Sequence, residues 1–328
     1  MADSKNLLDE LLGLGAGKDA KSLPKGQTVE QAAEAFVDSV ITDSARLLAA
    51  GDVKGAAKLE AEGSVVDVVA ILDRTGSMHA TIPKVLETLD RFAYELWKPG
   101  ATTRMAILAL EDHCGRRDYL GVDILPLTAD KETIQRYLSR IRVGGGGDSV
   151  ENYECGWEQA ARIIAETPIP VGKTRKVVGA TFMETAAHGQ IADLRREGAF
   201  AGISERDLFA IEDTGCTMGQ GVNWRTALVA FKALATQFYV VDCKGAEGNS
   251  PIYQIAKKAC IDPRNQNEHY VPLASALDII PPLIAGMIGQ ARGPASYATF
   301  VEDLRTRDPA AAGTVAGYLG APKVGTKR

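Results

Sequence analysis

The sequence predicts an α/β protein: a doubly wound, mostly parallel sheet with one antiparallel edge strand, preceded by accessory N-terminal helices. Three observations predict it. Short β-branched apolar runs, such as Val65-Val66-Asp67-Val68-Val69-Ala70-Ile71-Leu72, alternate with segments of helical periodicity from residue 64 to residue 290. The runs end abruptly at polar or glycine-bearing residues, as strands buried on both faces do. The connection between the runs 105–110 and 119–126, with turn-like Gly115-Arg116-Arg117-Asp118, is so short that this pair is read as antiparallel.

Composition narrows the functional classes. The chain has 328 residues, 45% hydrophobic and 24% charged, enough for one large α/β core with extras. A net charge of −5 with no long block of either sign gives nucleic acid or an anionic membrane nothing to hold. No apolar run approaches the length that spans a bilayer. Asp9 and Glu10 interrupt the leucines near the N-terminus, where a signal peptide needs an unbroken apolar stretch, so the expected location is cytoplasmic. The five cysteines, Cys114, Cys155, Cys216, Cys243 and Cys260, form no Cys-x-x-Cys pair and read as reduced thiols, several of them buried.

Taken in order, residues 1–63 form a helical extension. Leu7, Leu8, Leu11 and Leu12 mark a short amphipathic helix. A second helix runs from Thr28 to Gly51, and Ala56–Leu59 adds a turn. The main domain spans 64–290. Its strands are predicted at 65–72, 105–110, 119–126, 175–183, 237–243 and 269–273. Its helices are predicted at 81–97, 131–142, 150–165, 225–236, 251–260 and 274–290, with 190–220 less readable. Residues 291–328 are expected to hold one helix, 295–306, and a mobile basic tail.

Chemistry gathers at the predicted C-terminal ends of strands, where ligands sit in doubly wound sheets. Asp73, Thr75 and Ser77 alternate after the first run. Three hard oxygens converging on one point suit Mg²⁺ or Mn²⁺. The same residues also fit a helix N-cap and turn. Asp148 follows Gly144-Gly145-Gly146-Gly147 and reads as a ligand, as an N-cap with Glu151 as its capping-box partner, or as both. Glu184 ends the run 175–183. His79, His113 and His188 lie on separate segments without paired spacing, so solvated or hydrogen-bonded histidines are expected rather than a zinc site.

Asp73-Arg74-Thr75-Gly76-Ser77 resembles the first motif of the von Willebrand factor type A (vWA) family, Asp-x-Ser/Thr-x-Ser, which opens a metal-ion-dependent adhesion site (MIDAS). Gly145-Gly146-Gly147-Asp148-Ser149-Val150-Glu151-Asn152, Glu111-Asp112-His113 and Glu184-Thr185-Ala186-Ala187-His188-Gly189 are similar to stretches in intracellular branches, including domains associated with alpha-kinases. The resemblance covers about residues 64–290. It implies a Rossmann-like fold and a metal site holding Mg²⁺, Mn²⁺ or Ca²⁺ on Asp73, Thr75, Ser77, Asp148 and Glu184. Glu184 stands where the family usually has aspartate. Its extra methylene leaves direct binding, binding through water, or no binding open, and favours an ion tolerant of distortion such as Ca²⁺. The implied function is a protein-binding module whose metal is completed by a partner's carboxylate, in assemblies often built with AAA+ ATPases or kinases.

Two other readings use the same residues. Asp73-Arg74-Thr75-Gly76-Ser77 also resembles the phosphorylation motif of P-type ATPases and related phosphohydrolases, with Asp73 as a Mg²⁺-assisted nucleophile. A structural subunit with a vestigial metal site is the third.

Overall fold

The central strand, β1 (Ser64–Asp73), is buried at all ten positions, which requires a strand flanked by others and covered on both faces. The computed structural model describes residues 29–80, 82–83, 85–86, 89, 102–111, 121–144, 150–211, 213, 221–243, 250–272 and 279–322. Helices α1 (Val29–Ala49) and α2 (Val53–Glu62) precede β1. After it come β2 (Thr102–Leu110), β3 (Val122–Thr128), α3 (Lys131–Leu138), α4 (Tyr153–Glu166) and β4 (Thr174–Met183). There follow α5 (Gln190–Arg196), α6 (Glu205–Phe209), α7 (Trp224–Leu234), β5 (Gln237–Asp242), α8 (Pro251–Ala259) and β6 (Glu268–Pro272). The described chain closes with α9 (Ile280–Arg292), α10 (Pro294–Arg307) and α11 (Pro309–Leu319).

The strands form a six-stranded sheet in the order β3-β2-β1-β4-β5-β6. All neighbours are parallel except β2 and β3. Strand order reverses direction between β1 and β4. The loops leaving these two strands therefore flank the crevice where doubly wound sheets place ligands.

Side-chain alternation along β1 builds two cores. Val66, Val68, Ala70 and Leu72 share a cluster with Leu283 and Met287 of α9, Val301 of α10 and Val315 of α11. Val69 and Ile71 face Trp157 of α4 and Phe231 of α7. Burying a side chain the size of Ile71 or Phe231 contributes roughly 1.5–3 kcal/mol, so these faces fix the register of β1.

Asp67 interrupts the apolar run and is fully buried. On one side Arg104 of β2 donates to it from Nε (2.7 Å) and Nη2 (2.8 Å). On the other, Arg175 of β4 lies 2.9 Å away through Nε. Arg104 also donates to the carbonyl of Pro168 (2.9 Å) and Arg175 to that of Ile164 (2.6 Å). The triad fastens the α4–β4 connection to the N-terminal end of the sheet.

Several elements differ from the sequence expectation. α4 begins at Tyr153 rather than 150, because Glu151 is taken into a parallel bridge with Ala187. Glu151 thus lies ahead of the helix instead of closing a capping box. α3 ends at Leu138. α11 was not expected: Asp308-Pro309 looks like a break, yet Asp308 caps Ala311 N–H and Pro309 takes the first turn. α9 likewise opens with Pro281 and Pro282 in its first turn. Of the predicted helix 81–97, Ile82, Pro83, Val85, Leu86 and Leu89 are helical and the rest lies outside the described residues. So do the Leu7–Leu12 helix and the basic tail 323–328. No helix among the described residues is long and apolar enough to cross a membrane.

Candidate functional site

The rim at the C-terminal end of the sheet is built outward from Asp73, the last residue of β1 and fully buried. The chain turns at once: Arg74 N–H still bonds Leu110 O on β2 (3.0 Å), and Gly76–Ala80 form a 3₁₀ turn. That turn folds the side chains back. Asp73 Oδ1 accepts from Thr75 N–H (2.9 Å) and from Thr75 Oγ1 (2.7 Å). Thr75 Oγ1 in turn lies 3.3 Å from Ser77 Oγ. The alternating oxygens therefore do converge, with Thr75 buried and Ser77 exposed at the rim.

The second oxygen of Asp73 is held from another element. Tyr153 donates from its hydroxyl to Oδ2 (2.7 Å), and the same hydroxyl accepts the backbone N–H of Glu184 (3.2 Å). Tyr153, at the first turn of α4, thus joins the loop after β1 to the loop after β4. Burial keeps its phenol protonated, well above its ordinary pKa, and the charge of Asp73 adds to this. Burial also pushes Asp73 up from 3.8 to about 6. The hydrogen bonds from Thr75 and Tyr153 pull against that, and the charge of Glu184 adds to it. A buried acid shifted this far disfavours its charged form by roughly 3 kcal/mol.

Glu184 is buried one residue beyond β4. Its carbonyl accepts from Lys257 Nζ (3.0 Å), which is paired at 2.6 Å with Asp242 Oδ1 at the end of β5. Asp242 Oδ2 accepts from Tyr270 (2.5 Å). Burial lowers the Lys257 pKa, with Asp242 partly restoring it. Lys257 is spent on fixing the Glu184 backbone.

Asp148 lies outside the described residues, but both flanks of its loop are tied to the other two. Gly144 N–H bonds Arg74 O (3.0 Å), and Glu151 N–H bonds Ala186 O (2.9 Å). Asn152 Nδ2 donates to Gly121 O (3.2 Å). Gly121 has φ 65°, and a Cβ there would sit 2.1 Å from Glu111 O, so this approach requires glycine. Arg74 pairs with Glu111 at 2.7 Å, closing the side toward β2.

The described histidines stand apart from one another. His188 is buried, with Nδ1 2.9 Å from Glu154 Oε1, and its backbone N–H donates to Glu154 Oε2 (3.3 Å). His79 is exposed, and His113 and Cys114 lie outside the described residues. Among the described residues no three of His, Cys, Asp and Glu gather as a metal cluster. Among the described residues the rim brings Asp73 and Glu184 together with the hydroxyls of Thr75 and Ser77. Cys155, Cys243 and Cys260 are buried thiols. The Cys243 thiol is pushed well up, by burial first and then by Asp73, so it is a poor nucleophile.

Sequence reasoning missed Tyr153 and Lys257, which look like ordinary helix residues. It expected a solvated or hydrogen-bonded His188 but did not name Glu154 as the partner. An aromatic at the start of a helix reads as core, and nothing local tells which loop its hydroxyl will reach.

No protein-family model matches this sequence, and no curated protein matches it. Solved structures that this chain matches include the pilus adhesin SpaC from Lactobacillus rhamnosus GG (13% identity, TM-score 0.44, 72% of this chain and 30% of the adhesin). They include the SpRpn10 VWA domain (11% identity, TM-score 0.39, 70% of this chain and 96% of that domain). A von Willebrand factor type A protein from Catenulispora acidiphila is also among them (14% identity, TM-score 0.39, 69% and 43%). This chain thus spans under a third of the adhesin's length. Its own sheet, parallel but for one antiparallel edge strand and flanked by helices, is the Rossmann-like arrangement that the resemblance of its loop motifs to vWA domains implied.

Proposed function

We propose that this chain is a vWA-type protein-binding module whose C-terminal rim holds a divalent cation completed by a carboxylate from a partner protein. The observation that carries the reading is Asp73: a fully buried acid beside a second buried acid, Glu184, with the hydroxyls of Thr75 and Ser77 converging on it. The all-oxygen donor set fits Mg²⁺, Mn²⁺ or Ca²⁺ and not a soft metal. Magnitudes agree in direction. The net shift of Asp73 disfavours its charged form by roughly 3 kcal/mol, whereas the bare Coulomb attraction of a dication about 4 Å from a carboxylate, before the ion's own desolvation, is on the order of 8 kcal/mol near a protein surface. Asp73, Thr75 and Ser77 would supply the floor of the site and Asp148 and Glu184 its walls. A bound ion supplies a positive centre on which an acidic side chain of the partner docks. The resemblance points to assemblies containing AAA+ ATPases or kinases as the place to look for that partner.

The test is calorimetric titration of Mg²⁺ and Mn²⁺ into the wild type and Asp73→Ala. Saturable binding by the wild type alone is expected. Equal binding by both proteins sinks the site.

A further inference from the structure

The opposite end of the sheet carries a cavity of different chemistry. The N-terminal ends of β1 and β4, helix α1 and the α9–α10 junction enclose a cavity of about 420 Å³, a volume typical of small-molecule sites. Its wall is mainly apolar, with Val40, Ile41 and Leu48 of α1 along one side. Among the described residues its charged members are Glu60, Lys176 and Arg292.

The acid is already committed. The Glu60 carboxylate accepts the backbone N–H groups of Ala295 (3.3 Å) and Ser296 (2.7 Å) in the first turn of α10, and the Ser44 hydroxyl (3.4 Å). Arg292 is not matched in this way. Among the described residues its guanidinium makes one hydrogen bond, from Nη2 to Thr103 Oγ1 at 2.9 Å. That leaves most of its five N–H donors unspent. Burial lowers its pKa, and no neighbouring carboxylate offsets the effect. Arg292 also borders a smaller cavity of about 230 Å³ that carries Asp303 and Arg307. Arg292 is half-buried, and a partly desolvated cation without an acid beside it carries a cost; here it stands in the wall of an apolar space.

We infer that this cavity binds an organic carboxylate with an aliphatic body, its head on Arg292 and its chain along α1. A guanidinium and a carboxylate match as a two-point pair. A bare phosphate leaves the apolar wall unmatched, and a neutral lipid leaves the Arg292 charge unanswered.

The experiment titrates decanoate, decanol and inorganic phosphate into the 328-residue chain by calorimetry, with wild type, Arg292→Gln and Ile41→Asp compared. Wild type is expected to take up one decanoate per chain. Decanol and phosphate are each expected to bind at least about tenfold more weakly. Arg292→Gln should lose about tenfold or more in decanoate affinity. Ile41 is 60% exposed at the cavity mouth. Its replacement by aspartate therefore leaves folding intact, while its charge repels the ligand to a similar degree. Circular dichroism establishes that each variant is folded. Should Arg292→Gln fail to fold, the decanol comparison and Ile41→Asp decide. No decanoate binding by wild type at about 1 mM overturns the inference, as does equal affinity for decanol, or unchanged decanoate affinity in the folded variants.

Discussion

Two buried acids stand on the same strand, and they are treated in opposite ways. Asp67, toward the N-terminal end of β1, is gripped by Arg104 and Arg175. Asp73, at the C-terminal end, has hydroxyls, a backbone N–H and a second acid about it. Both are fully buried, so burial alone says nothing about role. What separates them is where the counter-charge comes from. Asp67 has its counter-charge built into the neighbouring strands and is a fastener. Asp73 is held in shape by groups that carry no charge, a condition that suits a ligand arriving from solution. A buried acid without a basic side chain against it is the more informative of the two.

The contrast can be broken most forcefully at Asp67. Replacing it by alanine leaves two half-buried guanidinium groups without their acid. A loss of about 3–5 kcal/mol in urea unfolding is expected, with Mn²⁺ binding by the folded fraction unchanged. A loss under about 1 kcal/mol would mean that the triad is no fastener. Tyr153→Phe sharpens the other pole. It removes the donor to Asp73 and the acceptor for Glu184 N–H, at an expected cost of about 1–3 kcal/mol. Calorimetry should show weaker Mn²⁺ binding as well. If stability drops while Mn²⁺ affinity holds, Tyr153 serves the fold alone.

The smallest effect concerns pH and belongs to the end of the sheet near Asp67. His269 stacks on Tyr239 with ring centroids 4.8 Å apart, and Nε2 meets Gln237 Oε1 at 3.1 Å. Burial lowers its pKa below 6.5. The unfolded chain therefore takes up the proton first as pH falls, and stability contributed by the neutral ring is lost as pH drops through 6.5 toward the folded value. Unfolding midpoints recorded between about pH 7.5 and 5 should show a step in wild type that His269→Gln lacks. Parallel curves for the two proteins would count against it.

The pattern of apolar runs made the sheet legible, because strands buried on both faces have no other composition available to them. The loop after β1 was legible for a related reason: three oxygens at alternate positions after such a run have few places to go. The antiparallel β2–β3 pair followed from the short connection. Long-range partners were harder. Arg104 and Arg175 are each one charge in a strand, and they become a triad with Asp67 only once β2 and β4 are known to flank β1. Tyr153 bonds Asp73 across 80 positions of sequence, a relation that no local pattern encodes. α11 was hidden because aspartate followed by proline signals a stop and a start equally well.

Glu60 has a consequence for how the molecule can be divided. It sits on α2, ahead of the sheet, yet it accepts the first N–H groups of α10, 235 and 236 positions further along the chain. A fragment cut to the strands and the helices between them would keep every hydrophobic pairing in the sheet and lose both halves of this join. The smallest piece expected to behave as a unit therefore runs from α2 to the end of α11. Tension applied at either end, by a fused protein or a tether, would be felt at the other through the Glu60 carboxylate and the Ser296–Ala57 contact beside it.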